Sequence, residues 1–324
     1  LTTKDRLLAL LETQRGSYFS GEELARQLSV SRAAVWKAVQ ALRAAGYAID
    51  AVPNRGYCLA PGTDILSQGG IQRFVSPRVP VTVQVLESVS STNALLRDQA
   101  AVGAPEGTAV AAARQTQGRG RLGRSFYSPP DTGVYLSLLL RPCRWAPDQA
   151  VRLTTMAALA VCEAVEEVSG LQPGIKWVND LYLNGRKICG ILTEGALSLE
   201  SGHLDYVVVG IGLNVYTPPE GFPPPLSEVA GALFTAPQPD AKNRLAAAFL
   251  NHFWAHYSDP DPAAWAACYR ARSLVLGRRI TVEGPDGLRP ADALDVDEAC
   301  RLVVRYADDG STASLQSGEI RIQL

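Results

Sequence analysis

Between Gln115 and Arg124 the chain reads Gln-Thr-Gln-Gly-Arg-Gly-Arg-Leu-Gly-Arg, with Arg119, Arg121 and Arg124 interleaved among Gly118, Gly120 and Gly123. Guanidinium groups offer planar, permanently charged forks of donors that match carboxylate and phosphate oxygens. Glycines let the backbone that carries them wrap closely. The three glycines have the spacing of a dinucleotide fingerprint, but that motif opens a helix, and Ser125-Phe126-Tyr127-Ser128-Pro129-Pro130 cannot; no phosphate-loop Gly-Lys-Ser/Thr is present either. What remains is a flexible cationic loop able to order around an anion, or else a surface loop with solvated arginines. Lys176 stands between Ile175 and Trp177 at the end of a strand-like run, where it either faces a site or is turned to water by strand alternation. Ser90-Ser91-Thr92-Asn93 gathers small polar side chains at the start of a helix-like segment, which also fits an ordinary N-cap.

The elements that must position these groups come in two styles. Asp5 to Gln14 puts Leu7, Leu8 and Leu11 on one helical stripe that stops at Gly16, and Ser20 with Glu23 forms a capping box for a second helix containing Leu24 and Leu28. After a tight turn, Ser31 caps a third helix. Its Val35, Val39 and Leu42 form the buried stripe, Arg32, Lys37, Gln40 and Arg43 face outward, and Gly46 ends it. This is the helix-turn-helix pattern, whose last helix enters the major groove. Two strand-like runs around Pro53-Asn54-Arg55-Gly56 add a wing with Arg55 at its tip. A three-helix packing module with a basic face is the alternative.

Residues 60–70, rich in Gly, Pro and small polar side chains, read as a linker. Beyond it, strand-like runs at 81–88, 108–115, 134–140, 181–192 and 206–215 mix with helices expected at 92–101, 149–168 and 243–258, an α+β pattern and not an alternating βαβ series. Asn184-Gly185 between apolar runs specifies a two-residue hairpin turn.

With 324 residues, 47% hydrophobic and 19% charged, the chain is long enough for two or three cores and too apolar for disorder. It has no apolar run approaching the ~18 residues of a membrane span, and its opening residues lack a secretory signal's apolar stretch, so a cytoplasmic protein is expected. Residues 1–60 hold eight Lys/Arg against five Asp/Glu while the rest of the chain is net acidic, so only the N-terminal segment suits a polyanion. The six cysteines form no CxxC pair and are expected to be buried thiols. His252 and His256 lack the Glu of HExxH and read as satisfied helix histidines.

SSTN (90–93), QTQGRGRLGR (115–124), KWVND (176–180), RKICGILTE (186–194) and GIGLNV (210–215), in that order behind a winged helix, resemble the bacterial bifunctional biotin-protein ligase and biotin operon repressor family. GRGR and KWxND together set this pattern apart from lipoate ligases. GRRITV (277–282) and SGEIRI (317–322) resemble that family's C-terminal SH3-like β-barrel. The resemblance covers essentially the whole chain, with Val178 where the family usually has Pro and Phe126 where a Trp often forms the pocket wall. It implies a winged helix-turn-helix (1–62), a mixed-sheet ligase domain (63–271) and the small barrel (272–324). It further implies that Arg119, Arg121 and Lys176 are catalytic. Ser91, Thr92, Asn93, Gln115, Arg119, Gly120, Arg121 and Lys176 would contact biotin, with Ser91, Thr92 and Gln115 on the ureido ring. Arg121, Asn179 and Asn214 would contact the adenylate, with 216–234 as the loop over adenine. ATP and biotin would be substrates and Mg²⁺ an accompanying ion with unidentified ligands, Asp180 being one candidate. A biotin carboxyl carrier protein, operator DNA and a homodimer favoured by biotinyl-5′-AMP would be the partners. A ligase for another acyl acid such as lipoate, or a biotin-sensing repressor without ligase activity, are the alternatives.

Overall fold

The computed structural model describes residues 2–143, 145–198, 200–259, 262–284, 287–316 and 318–322. Helix α1 (Thr3–Thr13) starts earlier than expected because Thr2 and Asp5 close a reciprocal capping box. Helix α2 (Gly21–Leu28) is capped by the Ser20 hydroxyl, which accepts from the Glu23 amide at 3.0 Å. Only that half of the expected box forms, since Glu23 turns its carboxylate to Gln27. Helix α3 (Arg32–Ala44) is capped by Ser31. Leu7, Leu11, Leu24, Leu28, Val35, Val39 and Leu42 close a core of their own. Strands β1 (Ile49–Val52) and β2 (Gly56–Leu59) pair antiparallel as the wing.

The linker is not a loose connection. Its Ser67 caps α4 (Gln68–Gln72), which buries Ile71 in the central core. Glu12 of α1 and Arg15 in the turn after it form a two-pronged pair at 2.6 and 2.8 Å. Arg15 also donates to the Thr63 carbonyl at 2.8 Å and meets Asp240 at 2.8 Å. Asp240 pairs with Arg73 as well, and Ser67 donates to Glu12 at 3.2 Å. A buried ionic cluster thus joins the N-terminal module to the remainder of the chain.

The central sheet is built from β3 (Thr82–Leu86), β4 (Thr108–Ala112), β5 (Gly133–Leu140), β6 (Gly174–Lys176), β7 (Asp180–Leu183), β8 (Arg186–Leu197) and β9 (Leu204–Asn214). Helix α5 (Thr92–Ala101) connects β3 to β4, and α6 (Ala150–Ser169) connects β5 to β6. After β9 come α7 (Leu226–Val229), α8 (Ala241–Ser258) and α9 (Pro262–Ala271). The strand order is β3-β4-β5-β9-β8-β7-β6, antiparallel except for β3 with β4. Period-two alternation divides the faces. Leu136, Leu138, Val207 and Val209 pack with α6 and α8, whereas Leu139 and Val208 pack under Leu96 and Ala100 of α5. The hairpin turn holds Asn184 and Gly185 at φ 51° and 74°, as a type I′ turn requires.

Strands β10 (Arg279–Gly284), β11 (Gly287–Val296), β12 (Leu302–Tyr306), β13 (Thr312–Leu315) and β14 (Glu319–Arg321) form a second antiparallel sheet in the order β13-β12-β11-β10-β14, with a bulge between Ala293 and Asp295. Bulges bend a sheet toward a barrel. Among the described residues no β13–β14 pairing closes the ring. Ser317, which opens the SGEIRI segment, lies outside the described residues.

Candidate functional site

A cavity of about 380 Å³ opens over β7, β8 and β9, and the dispersed candidate residues meet there: Thr92, Gln115, Arg119, Arg121, Lys176 and Asn214 all line it. Ser91, Asn93, Gly120 and Asn179 do as well. Its floor is the backbone of Gly190 and Gly212. A Cβ on Gly212 would lie 2.5 Å from the Phe126 ring, so glycine there is what admits the aromatic wall. The loop from Gln115 is folded where flexibility was expected. Phe126 donates its amide to the Gly118 carbonyl at 2.8 Å and Gly120 to that of Arg124 at 2.7 Å, and Arg121 makes a single 3₁₀ turn, not a helix. The Arg121 guanidinium reaches Asn179 Oδ1 at 3.1 Å and the Gly318 carbonyl at 3.3 Å, so one side chain links its loop to the β6–β7 turn and to the residue before β14.

Lys176 ends β6, with its ammonium 5.9 Å above the Tyr182 ring. Burial, and secondarily the Asp180 charge, push the Tyr182 phenol up to about 12, so it stays a neutral donor. Asn179 gives its amide to the Ile191 carbonyl at 3.0 Å, and Asn214 donates to the Gly231 carbonyl at 3.0 Å. Asn214 therefore anchors the 216–234 segment, whose Phe222, Leu226, Val229 and Ala230 close one side of the cavity. Asp180 is occupied by Lys187 at 2.7 Å. Among the described residues no group of three or more His, Cys, Asp or Glu is arranged to hold a metal ion. His252 and His256 are satisfied by Glu167 and Glu163 at 2.9 and 2.6 Å.

On the N-terminal module Arg32 and Lys37 are exposed on α3 and Gln40 is half-buried beside them. Arg55 stacks 4.0 Å over Tyr18 at the wing tip. Arg43 does not join this face. Its guanidinium donates twice to the Ile49 carbonyl, at 2.8 and 2.5 Å, and ties α3 to the wing.

Residues 85–214 match the biotin/lipoate A/B protein ligase family, and residues 3–58 match an HTH domain. The chain is 38% identical over 237 residues to the bifunctional ligase/repressor BirA of Bacillus subtilis, covering 72% of each protein. It is 35% identical over 211 residues to that of Escherichia coli, covering 65% of this chain and 63% of that one. The chain belongs to the BirA family of bifunctional biotin ligase/repressors. The fold agrees. A biotin protein ligase from Aquifex aeolicus in complex with biotin and ATP superposes with a TM-score of 0.60 at 26% identity, covering 74% of this chain and 97% of that one.

Within this ligase, some residues keep to the ordinary reading of their sequence and others play parts it did not disclose. Ser91 serves as the N-cap of α5, accepting from the Ala94 amide at 3.4 Å, in keeping with the ordinary reading of the SSTN cluster. Asn93 is spent inside the protein: its amide nitrogen donates to Glu194 and the Leu192 carbonyl, and its oxygen accepts from Ser137. It borders the cavity with both amide N–H groups already spent, so it has no donor left for a ligand. Trp36, 54% exposed beside Arg32 and Lys37, went unnoticed because it sits next to the buried stripe. The cysteines divide: Cys58, Cys162, Cys189 and Cys300 are buried, but Cys143 and Cys268 are exposed, at a loop and at a solvent-facing turn of α9.

Proposed function

We propose that this chain joins biotin to ATP as biotinyl-5′-AMP, transfers the biotinyl group to a lysine of a biotin carboxyl carrier protein, and uses the same adenylate as corepressor. One observation carries the reading. The cavity combines neutral polar groups at the start of α5, suited to a cyclic urea, with the cations Arg121 and Lys176 several strands away across the sheet, and the Phe126 ring lies between. A cyclic urea needs paired donors and acceptors once buried. A carboxylate and a triphosphate need cations where they meet.

The biotin carboxylate oxygen attacks the α-phosphorus. The bond from that phosphorus to the bridging oxygen breaks, and pyrophosphate leaves. Two anions approach each other in this step, so Arg119, Arg121 and Lys176 act by holding them in line and by stabilising the charge that accumulates. The carrier's ε-amine then attacks the acyl carbon, the bond to the phosphate oxygen breaks, AMP leaves and the nitrogen loses a proton. The mixed anhydride would hydrolyse in water, so the 115–127 loop and the 216–234 segment protect it. Mg²⁺ accompanies the phosphates of ATP; Asp180 is held by Lys187, and among the described residues no cluster of carboxylates is set out for the ion.

We assign 1–62 to DNA binding through Arg32, Lys37, Gln40 and Arg55, 63–271 to the ligase and 272–324 to the small C-terminal sheet domain. A palindromic operator calls for a two-fold dimer. Beyond Ile191, β8 pairs on one side only, with β9, and that open edge supports dimerisation through the central domain. A protein that uses these substrates and binds DNA is expected in the cytoplasm. Among the described residues no helix is long and apolar enough to cross a membrane. Incubation with biotin, ATP, Mg²⁺ and an apo carrier domain should raise the carrier's mass by one biotinyl group. A gain only with lipoate would shift the substrate, and no gain with either would leave a repressor without ligase activity.

A further inference from the structure

The register of the central sheet sorts the cavity residues into two rows. Partners in register stand side by side on one face of a sheet. Tyr135 pairs with Gly212, Gly212 with Gly190, Gly190 with Asp180 and Asp180 with Lys176, so the first row crosses from β5 to β6 and ends at Lys176. Strands β7 and β9 run the same way, since each is antiparallel to β8. Two residues further along β9 stands Asn214, and two further along β7 stands Tyr182. Both lie on the same side of the first row, about 10 Å apart, which is two strand spacings. Lys187, the register partner of Tyr182, is on the strand between them.

Asn214, Lys187, Tyr182 and Lys176 all line the cavity. The Asn214 end of the second row is the enclosed one. Asn214 donates to the Gly231 carbonyl at 3.0 Å and so fastens the 216–234 segment, whose Ala230 bridges to Lys187. At the opposite end Tyr182 is half-buried, with the Lys176 ammonium 5.9 Å above its ring. Its hydroxyl makes no hydrogen bond to another described residue, and burial keeps it protonated. A neutral donor flanked by two lysines suits an anion with oxygens to spare. A nucleotide whose base is held at Asn214 runs its phosphates across β8 toward Lys187 and Tyr182. Its α-phosphorus must meet the carboxylate beside Lys176, which leaves the β- and γ-phosphates at the Tyr182 end.

We infer that Tyr182 is a catalytic residue of adenylate formation, its hydroxyl donating to an oxygen of the β- or γ-phosphate of ATP. The inference rests on the reading of the pocket as a site that adenylates biotin. As the carboxylate oxygen bonds to the α-phosphorus and the bond to the bridging oxygen breaks, negative charge moves onto the departing pyrophosphate. The hydrogen bond strengthens as that charge grows, while the proton stays on the phenol oxygen. Once pyrophosphate has left, the hydroxyl takes no part in transfer to the carrier.

The test is Tyr182→Phe, which removes the hydroxyl and keeps the ring, set beside Tyr182→Leu, which removes both. Adenylate formation is followed by pyrophosphate release, and transfer by the mass gain of an apo carrier domain supplied with preformed biotinyl-5′-AMP. Tyr182→Phe should lower kcat/KM for ATP by ~10- to 100-fold and weaken inhibition by added pyrophosphate about tenfold, the loss of one hydrogen bond to a charged group. Its melting temperature, its KM for biotin and its rate of transfer from preformed adenylate should stay at the wild-type values. Wild-type ATP kinetics in Tyr182→Phe, with a loss confined to Tyr182→Leu, would reduce Tyr182 to a ring packed under Lys176 and overturn the inference. Slower transfer or faster release of biotinyl-5′-AMP in Tyr182→Phe would overturn it too, by putting the hydroxyl on the adenylate and not on the leaving group. A wild type that forms no adenylate from biotin and ATP would instead overturn the reading of the pocket, and the role of Tyr182 with it.

Discussion

Asp240→Asn should loosen the N-terminal module from the ligase domain while leaving the biotin pocket intact. Asp240 is 7% exposed at its side chain, and the Arg15 it faces is 5% exposed. Removing one partner of a buried ion pair costs ~3–5 kcal/mol because the other charge is left uncompensated. Two features lower that figure here. Arg15 keeps its two bonds to Glu12, and Arg73, the second cation on Asp240, is 30% exposed and reaches water. The loss is then about 2–3 kcal/mol, which is ~30- to 150-fold in the undocked population. Asparagine is the clean probe, since position 240 has φ 57° and Asn tolerates the left-handed region, whereas Asp240→Ala adds a further ~1 kcal/mol of backbone cost. Proteolytic cleavage within 60–66 reports the undocked population when opening is fast relative to cutting. Cleavage of Asp240→Asn at the wild-type rate would show that the cluster does not hold the modules together.

Lys176→Ala should keep the wild-type melting temperature but slow adenylate formation by ~10²–10³, measured by pyrophosphate release, since it removes one stabiliser of developing charge. Arg121→Gly should speed dissociation of biotinyl-5′-AMP in stopped flow, because it cuts the link from loop to Asn179 and Gly318 and a charge-assisted contact to the ligand. Trp36→Ala should weaken operator binding by ~1–3 kcal/mol, and thymine-to-uracil substitutions in the operator should reproduce part of that loss only with Trp36 present, an apolar contact to the thymine methyl being the expected role. Alkylation of the native protein should modify Cys143 and Cys268 first; burial raises the Cys162 and Cys189 thiols well above their usual range and Cys300 to about 11, so these stay protonated and unreactive.

Local signals were legible wherever a short stretch decides its own geometry. Ser20, Ser31 and Ser91 cap the helices they precede, and Asn184-Gly185 makes the turn its φ angles require. The motif residues converge on one cavity although Thr92, Arg121, Lys176 and Asn214 come from distant parts of the chain. What stayed hidden depends on partners far away in sequence. Helix α4 forms inside a Gly-rich linker because Asn243, from α8, accepts from Ser67 and donates to the Ile65 carbonyl. Arg43 looks like a free DNA contact until the wing folds back to offer Ile49. Asn93 looks like a ligand contact until Glu194 and Ser137 arrive from other strands.

In the proposed cycle one pocket serves both transfer and repression, so that the adenylate is corepressor while it lasts and substrate once a carrier is present. Operator binding by a single sample, followed by fluorescence anisotropy, reads both roles in one experiment. Addition of biotin with MgATP should tighten binding, and a stoichiometric excess of apo carrier domain should then reverse the gain as the adenylate is consumed and the carrier's mass rises. Operator affinity that ignores biotin and ATP, or that stays high while the carrier is being labelled, would contradict the account.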